Sequence, residues 1–195
     1  MARRSHSRKT TTFEALLGIL SMGPMTGYEI RQRIEISIGN FWSESFGQIY
    51  PALNKLRQLG FVEAVESGKT GRRVYSLTAS GREKLKAWLA VMPQPSKPRN
   101  ELLLKVFFGG QSQVEIVRAH VLETRARFAA DLERYIALEP QIKERHCDKP
   151  GLPYYLMALN YGCIEARAIL AWADETLASL DLIASTVHKT PKEEQ

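Results

Sequence analysis

Apolar positions in the first ninety residues alternate between helical and strand spacing, in the order helix, helix, helix, hairpin, helix. Phe13, Leu16, Leu17 and Leu20 recur at helical intervals and predict a first helix, which Gly23-Pro24 ends. Thr26-Gly-Tyr-Glu29 has the form of a capping box and opens a second helix to about Ile38, with Ile30 and Ile34 facing inward. Ser45-Phe-Gly-Gln48 is a second such box. The third helix runs from it to about Leu59, carries Phe46, Ile49, Leu53 and Leu56 on one stripe, and stops at Gly60. Pro51 is awkward there, because it removes one backbone bond just beyond the first turn. Phe61–Glu66 and Arg72–Leu77 predict two strands around the glycine-bounded loop Ser67–Gly71. Thr78-Ala-Ser-Gly-Arg-Glu83 then opens a fourth helix with Leu85, Trp88 and Leu89 on one face.

Residues 92–98 hold three prolines in seven positions and mark a linker. Helical spacing governs the rest. A short apolar helix over about 100–108 ends at Gly109-Gly110, and a long one from about Gln113 to Arg145 carries Val114, Val117, Val121, Phe128, Leu132 and Tyr135. His146–Pro153 breaks the pattern. The last helix, about Tyr154–Ser185, places Leu156, Leu159, Cys163, Ala166, Leu170, Ala173, Leu177, Leu180 and Ala184 in steps of three and four. Such a seam needs a facing surface. The preceding helix supplies part of it and a second subunit the rest, so Leu156, Leu159, Cys163, Leu170, Leu177 and Leu180 are the expected dimer interface. The organisation expected is a flexible basic arm over 1–11, a first domain over 12–91, a linker over 92–98, a helical dimerisation domain over 99–186 and a tail over 187–195.

Charge sharpens this outline. The net charge is +6, but residues 1–90 hold 14 Lys and Arg against 7 Asp and Glu, while residues 91–195 hold 13 against 14. A phosphate backbone is attracted to so uneven a field. No apolar run is long enough to span a membrane, and the basic N-terminus lacks the apolar stretch of a secretory signal, so a cytoplasmic protein is expected. Cys147 and Cys163 are too few for a disulfide framework and are expected to be reduced thiols.

A helix-turn-helix formed by the second and third helices, with the hairpin as its wing, gives the charge a purpose. Opposite its apolar stripe the third helix carries Gly47, Gln48, Pro51, Asn54, Lys55 and Gln58. Amide side chains match an adenine edge, and lysine matches guanine acceptors or phosphate. Lys69, Arg72 and Arg73 crowd the hairpin tip, where cations repel one another without an anionic partner. The DNA-contacting set expected is Thr26, Tyr28, Gln48, Tyr50, Asn54, Lys55, Lys69, Arg72 and Arg73. Tyr28 is assigned to phosphate, Lys55 to phosphate or the outer guanine edge, and Gln48 to bases.

Other chemistry is thinner. His146-Cys147-Asp148 lacks paired metal-ligand spacing, and His6, His120 and His188 are scattered, so neither metal nor cofactor is expected. Ser67-Gly-Lys-Thr70 resembles the end of a phosphate-binding loop but lacks the upstream glycine and the following helix. No catalytic set emerges, and no enzyme is expected. Trp42 and Trp88 are candidates for an aromatic effector pocket.

Four segments in order, Thr26-Gly-Tyr-Glu-Ile30, Gln48-Ile-Tyr-Pro-Ala-Leu53, Leu56-Arg-Gln-Leu-Gly-Phe61 and Tyr75-Ser-Leu-Thr-Ala-Ser-Gly81, resemble the PadR family of bacterial transcriptional regulators. The family has Tyr-Pro in this helix, which accounts for Pro51. The resemblance covers about residues 13–90 closely and 99–186 more loosely. It implies a mainly α fold, with an N-terminal winged helix-turn-helix, a two-stranded β wing and a C-terminal α-helical antiparallel or coiled-coil dimerisation domain. It also implies a homodimer on an inverted-repeat operator of double-stranded DNA, usually a repressor, released by a small hydrophobic or aromatic effector. The alternatives are an activator without effector, and a helical scaffold that has lost operator binding.

Overall fold

The structure, a computed structural model, describes residues 3–39, 41–42, 46–67, 72–93 and 99–187. The chain divides into two compact units, Met1–Pro95 and Ser96–Gln195.

The first unit runs α1 (Arg3–Leu20), β1 (Met25–Thr26), α2 (Gly27–Ser37), α3 (Phe46–Gln58), β2 (Val62–Ser67), β3 (Arg72–Leu77) and α4 (Ala79–Leu89). Helix α1 begins at Arg3, within the arm expected over residues 1–11. No glycine or proline interrupts that stretch, and extending a formed helix is cheap compared with starting one. The anchor is the buried part of α1, where even Thr12 and Glu14 lie inside with Leu16, Leu17 and Leu20.

The expected two-stranded wing, β2 and β3, is present, and β1 joins it in a three-stranded antiparallel sheet of order β1-β3-β2. Two residues beyond Pro24 pair with the inner strand, Met25 opposite Tyr75 and Thr26 opposite Val74. Val62 to Ser67 pair with Leu77 to Arg72 on its other side. A two-residue strand is too short for alternation to register, so its pairing is visible only in three dimensions.

The helical stripes meet in one core of Leu16, Leu17, Leu20, Ile30, Ile34, Ile49, Leu53, Leu56, Val62, Tyr75 and Leu77. Helix α3 continues through Pro51 and ends in a left-handed turn at Gly60, φ 74°. There the Phe61 amide donates to Leu56 O and the Gly60 amide to Arg57 O, both at 3.0 Å, which is the paired closure that a glycine at this position permits. The start of α4 is tied to the same corner, with the Thr78 and Ser80 hydroxyls each donating to Gly60 O at 2.8 Å. Leu85 packs on this core. Trp88 and Leu89, expected on the same face, are exposed because the end of α4 carries them past it.

The second unit holds α5 (Glu101–Phe107), a single 3-10 turn (Gly109–Gln111), α6 (Val114–His146) and α7 (Leu152–Val187). Helix α7 starts at Leu152, earlier than Tyr154, because Pro153 falls in its first turn, where a missing amide costs nothing. The two long helices form an antiparallel hairpin. Arg118 meets Asp181, Arg125 meets Asp174 at 2.6 Å, and Tyr135 packs with Leu159 and Cys163. Val117 and Val121 pack with Ala173 and Leu180. The α7 seam is therefore turned onto α6 of the same chain. Leu159, Cys163 and Leu180 are buried there, the part of the seam expected to face the preceding helix, while Leu156, Leu170 and Leu177 are half-buried. Heptad spacing fixes a seam but not which helix fills it, and a five-residue connection puts α6 at hand. A second stripe on α7 points the other way: Tyr154, Met157, Tyr161, Ile164 and Leu182 are all more than half exposed. Among the described residues, no helix is long and apolar enough to cross a membrane.

Candidate nucleic-acid interface

The pairing of β1 with β3 sets the site. It puts Thr26, the N-cap of α2, opposite Val74, so the first turn of α2 lies beside the Arg72-Arg73 end of the wing. The cap is complete. The Thr26 amide and hydroxyl donate to Glu29 Oε2 at 2.7 and 2.8 Å, and the Glu29 amide donates back to Thr26 Oγ1 at 3.3 Å. The bond from the Thr26 amide, then that from its hydroxyl, hold the exposed Glu29 carboxyl below the usual carboxylate range, and the charge of Arg72 adds to them.

Between α2, α3 and β3 lies an open cleft of about 900 Å³, lined by Thr26, Gly27, Tyr28, Glu29, Gln32, Tyr50, Asn54, Arg72, Arg73 and Tyr75. It gathers six of the nine residues singled out from the sequence. Tyr28 stands exposed, its hydroxyl accepting from Gln32 Nε2 at 3.1 Å. Tyr50 and Asn54, one helical turn apart on α3, are exposed, as are Arg72 and Arg73. Thr26 lines the cleft too, but its hydroxyl is engaged in the cap.

Gln48 and Lys55 lie outside this lining, on a neighbouring exposed line of α3. They are seven residues apart, about 10 Å along the axis, and Lys55 Nζ donates to Gln58 Oε1 at 3.5 Å. Lys69 lies outside the described residues, as does Ser45, the expected cap of α3. Sequence reasoning missed Gly27, Glu29, Gln32 and Tyr75. Gln32 was findable, being four residues after Tyr28 and so its neighbour on one helix face. Tyr75 required the register of the sheet.

The two tryptophans are not among the residues that line this cleft. Trp42, between α2 and α3, is half-buried, and its Nε1 is buried with no partner among the described residues. Trp88 lies on α4, 39% exposed. A second cleft, of about 580 Å³, belongs to the second unit alone. Val106, Val114, Val117, Leu180 and Ile183 give it an apolar lining, with Ser112, Thr176 and Ser179 among its polar members.

The residues that line the first cleft all fall within a stretch matched by a known family. The model of the transcriptional regulator PadR-like family matches residues 16–87. Residues 16–87 belong to the PadR-like family. Around this PadR-like domain the similarity extends over most of the chain. The virulence activator alpha C-terminal model matches residues 98–181. The negative transcriptional regulator PadR of Bacillus subtilis is 27% identical over 175 residues, 86% of this chain and 96% of that one. Its structure in complex with operator DNA superposes with a TM-score of 0.73 at 26% identity, covering 86% of this chain and 98% of that one. It has also been solved in complex with p-coumaric acid, with a TM-score of 0.71 at 25% identity over 89% of this chain and 97% of that one. The Vibrio cholerae virulence activator AphA has a TM-score of 0.72 at 26% identity, covering 88% and 99%. In these terms the PadR-like domain of this chain is a winged helix whose wing is pinned to helix α2 through β1.

Proposed function

We propose that this chain is a sequence-specific DNA-binding transcriptional regulator, a homodimeric cytoplasmic repressor released from an inverted-repeat operator by a small hydrophobic or aromatic effector. The observation that carries the proposal is the convergence of Tyr28, Tyr50, Asn54, Arg72 and Arg73, from a helix-turn-helix and its wing, on one exposed cleft. Arginines and tyrosine hydroxyls suit phosphate oxygens and fix orientation. Gln48, on the first turn of α3, is the base reader, since that end of a recognition helix enters deepest into the major groove. Lys55 sits further along and meets backbone or an outer guanine edge. The likeness to a protein solved with operator DNA supports the assignment.

The first unit serves as the DNA-binding domain and the second as the dimerisation domain. With part of the α7 seam turned onto α6, the stripe of Tyr154, Met157, Tyr161, Ile164 and Leu182 is a further face offered to a second copy, an apolar area that a monomer rarely leaves in water. Effector release draws support from the relative solved with p-coumaric acid and from the cleft of the second unit, whose volume falls within the range small ligands occupy. No catalytic step is part of the proposal. The match of residues 98–181 to a virulence activator model favours one second reading, in which the same dimer activates transcription.

Selection of bound fragments from random duplex DNA tests the assignment. An enriched inverted repeat is expected, with arms centred about one or two helical turns apart. A helical scaffold without operator recognition would enrich nothing.

A further inference from the structure

We infer that Gly27 is a positioning residue for Tyr50, the seat that fixes where its ring and hydroxyl stand in the DNA-facing cleft. The inference rests on the proposed function for what Tyr50 does, but its geometry is independent of it.

Gly27 is the first residue of α2 and is buried. A Cβ at this position would lie 2.5 Å from Tyr50 Cε1, 2.8 Å from Cζ and 2.9 Å from the hydroxyl oxygen. All three distances are well inside van der Waals contact. The ring of Tyr50, reaching over from α3, therefore occupies the space that a side chain on α2 would fill. The backbone there is helical, in a conformation any residue adopts, and the three nearest neighbours of the missing Cβ all belong to that one ring.

The obstructing atoms are the far end of a side chain that rotates about two bonds and whose residue is already exposed. When a methyl group is placed on α2, the ring swings out and the core beneath, built from Ile30, Ile49 and Leu53, is left as it was. Alanine also forms helix more readily than glycine. The two effects of Gly27→Ala thus have opposite signs. The fold keeps or gains stability, while the Tyr50 hydroxyl leaves its place beside Tyr28, Asn54 and the wing arginines. A residue that merely supported the fold would lose both together.

The test uses the full chain and a duplex selected by the wild type. Gly27→Ala should leave the thermal midpoint equal or higher and weaken binding to that duplex about tenfold, the size of losing one hydrogen bond to a charged group. Tyr50→Ala should weaken it comparably, and adding Gly27→Ala to Tyr50→Ala should cost nothing more. Undiminished binding by Gly27→Ala overturns the inference. So does an equal further loss in the Tyr50→Ala background, which would mean that the methyl group meets DNA directly. A midpoint that falls together with binding overturns it as well. A crystal structure of Gly27→Ala separates the two levels. An unmoved Tyr50 ring overturns the seat alone, whereas a wild-type chain with no preferred duplex overturns the functional assignment and with it the presentation of Tyr50 to DNA.

Discussion

Truncating Leu180 to alanine should destabilise the second unit while sparing whatever holds two copies together. Leu180 is 8% exposed and packs with Val117, Val121 and Ala173 inside one chain. Removing three carbons forfeits about 0.8 kcal/mol each in transfer free energy, and incomplete collapse of the site adds a cavity cost, giving about 3 kcal/mol in all. For a unit of this size that lowers the thermal midpoint by about 10–20 °C. The comparison is Ile164→Glu, on the opposite stripe and 57% exposed in the single chain. It should leave helix content intact but dissociate the proposed dimer, because an unpaired charge buried between subunits costs several kcal/mol, about 3–5 by analogy with broken buried pairs. Thermal melts followed by circular dichroism, with light scattering at one fixed protein concentration, read both quantities. If Leu180→Ala dissociates the dimer without lowering the midpoint, or Ile164→Glu stays dimeric, the assignment of the two α7 faces is wrong.

Two glutamates of the first unit, Glu14 and Glu29, should give opposite pH responses. Burial pushes the Glu14 carboxyl up, so its contribution to stability is best below the unfolded value of 4.5 and is lost as pH rises toward the folded one; Glu14→Gln should remove that loss and be the more stable chain at neutral pH. The hydrogen bonds from Thr26 lower Glu29, so its contribution is present above 4.5 and lost as pH falls through the depressed folded value; Glu29→Gln should flatten that acid limb. Denaturant titrations across pH decide, and parallel profiles for the two variants would refute both causes. Affinity for DNA should fall with salt at a log–log slope of roughly −7, for about four phosphates per subunit, and Arg73→Ala should flatten it by about one unit per subunit; a salt-independent affinity would remove the wing from the interface.

Much of the first unit was legible because its signals are local. The Thr26 and Glu29 pair announced the start of α2 with both hydrogen bonds in place, and Gly60 marked the end of α3. The stripes of α2 and α3 named core residues that the structure buries. What escaped was non-local. Met25-Thr26 becomes a strand only because Tyr75 and Val74 lie alongside, and that pairing delivers Arg72 and Arg73 to the first turn of α2. Tyr75 and Gly27 enter the cleft for the same reason. On α7 the spacing of Leu159, Cys163 and Leu180 showed that a helix must cover them but carried no information on whose helix it was. The outer stripe of Tyr154, Met157, Tyr161 and Ile164 has the same three-and-four rhythm, and only the placement of α6 tells the two faces apart.

Operator recognition, as proposed, rests on base reading by the first turn of α3. Its most direct test is the affinity of Gln48→Ala for the selected duplex and for a scrambled one of equal length, at one fixed salt concentration. Gln48 is exposed on that turn, and its amide matches both edge groups of adenine. The expected result is a loss of about 1–3 kcal/mol on the selected duplex and far less on the scrambled one, while Lys55→Ala weakens both evenly. An equal loss on both duplexes for Gln48→Ala would contradict base reading by α3, even in a protein that binds DNA.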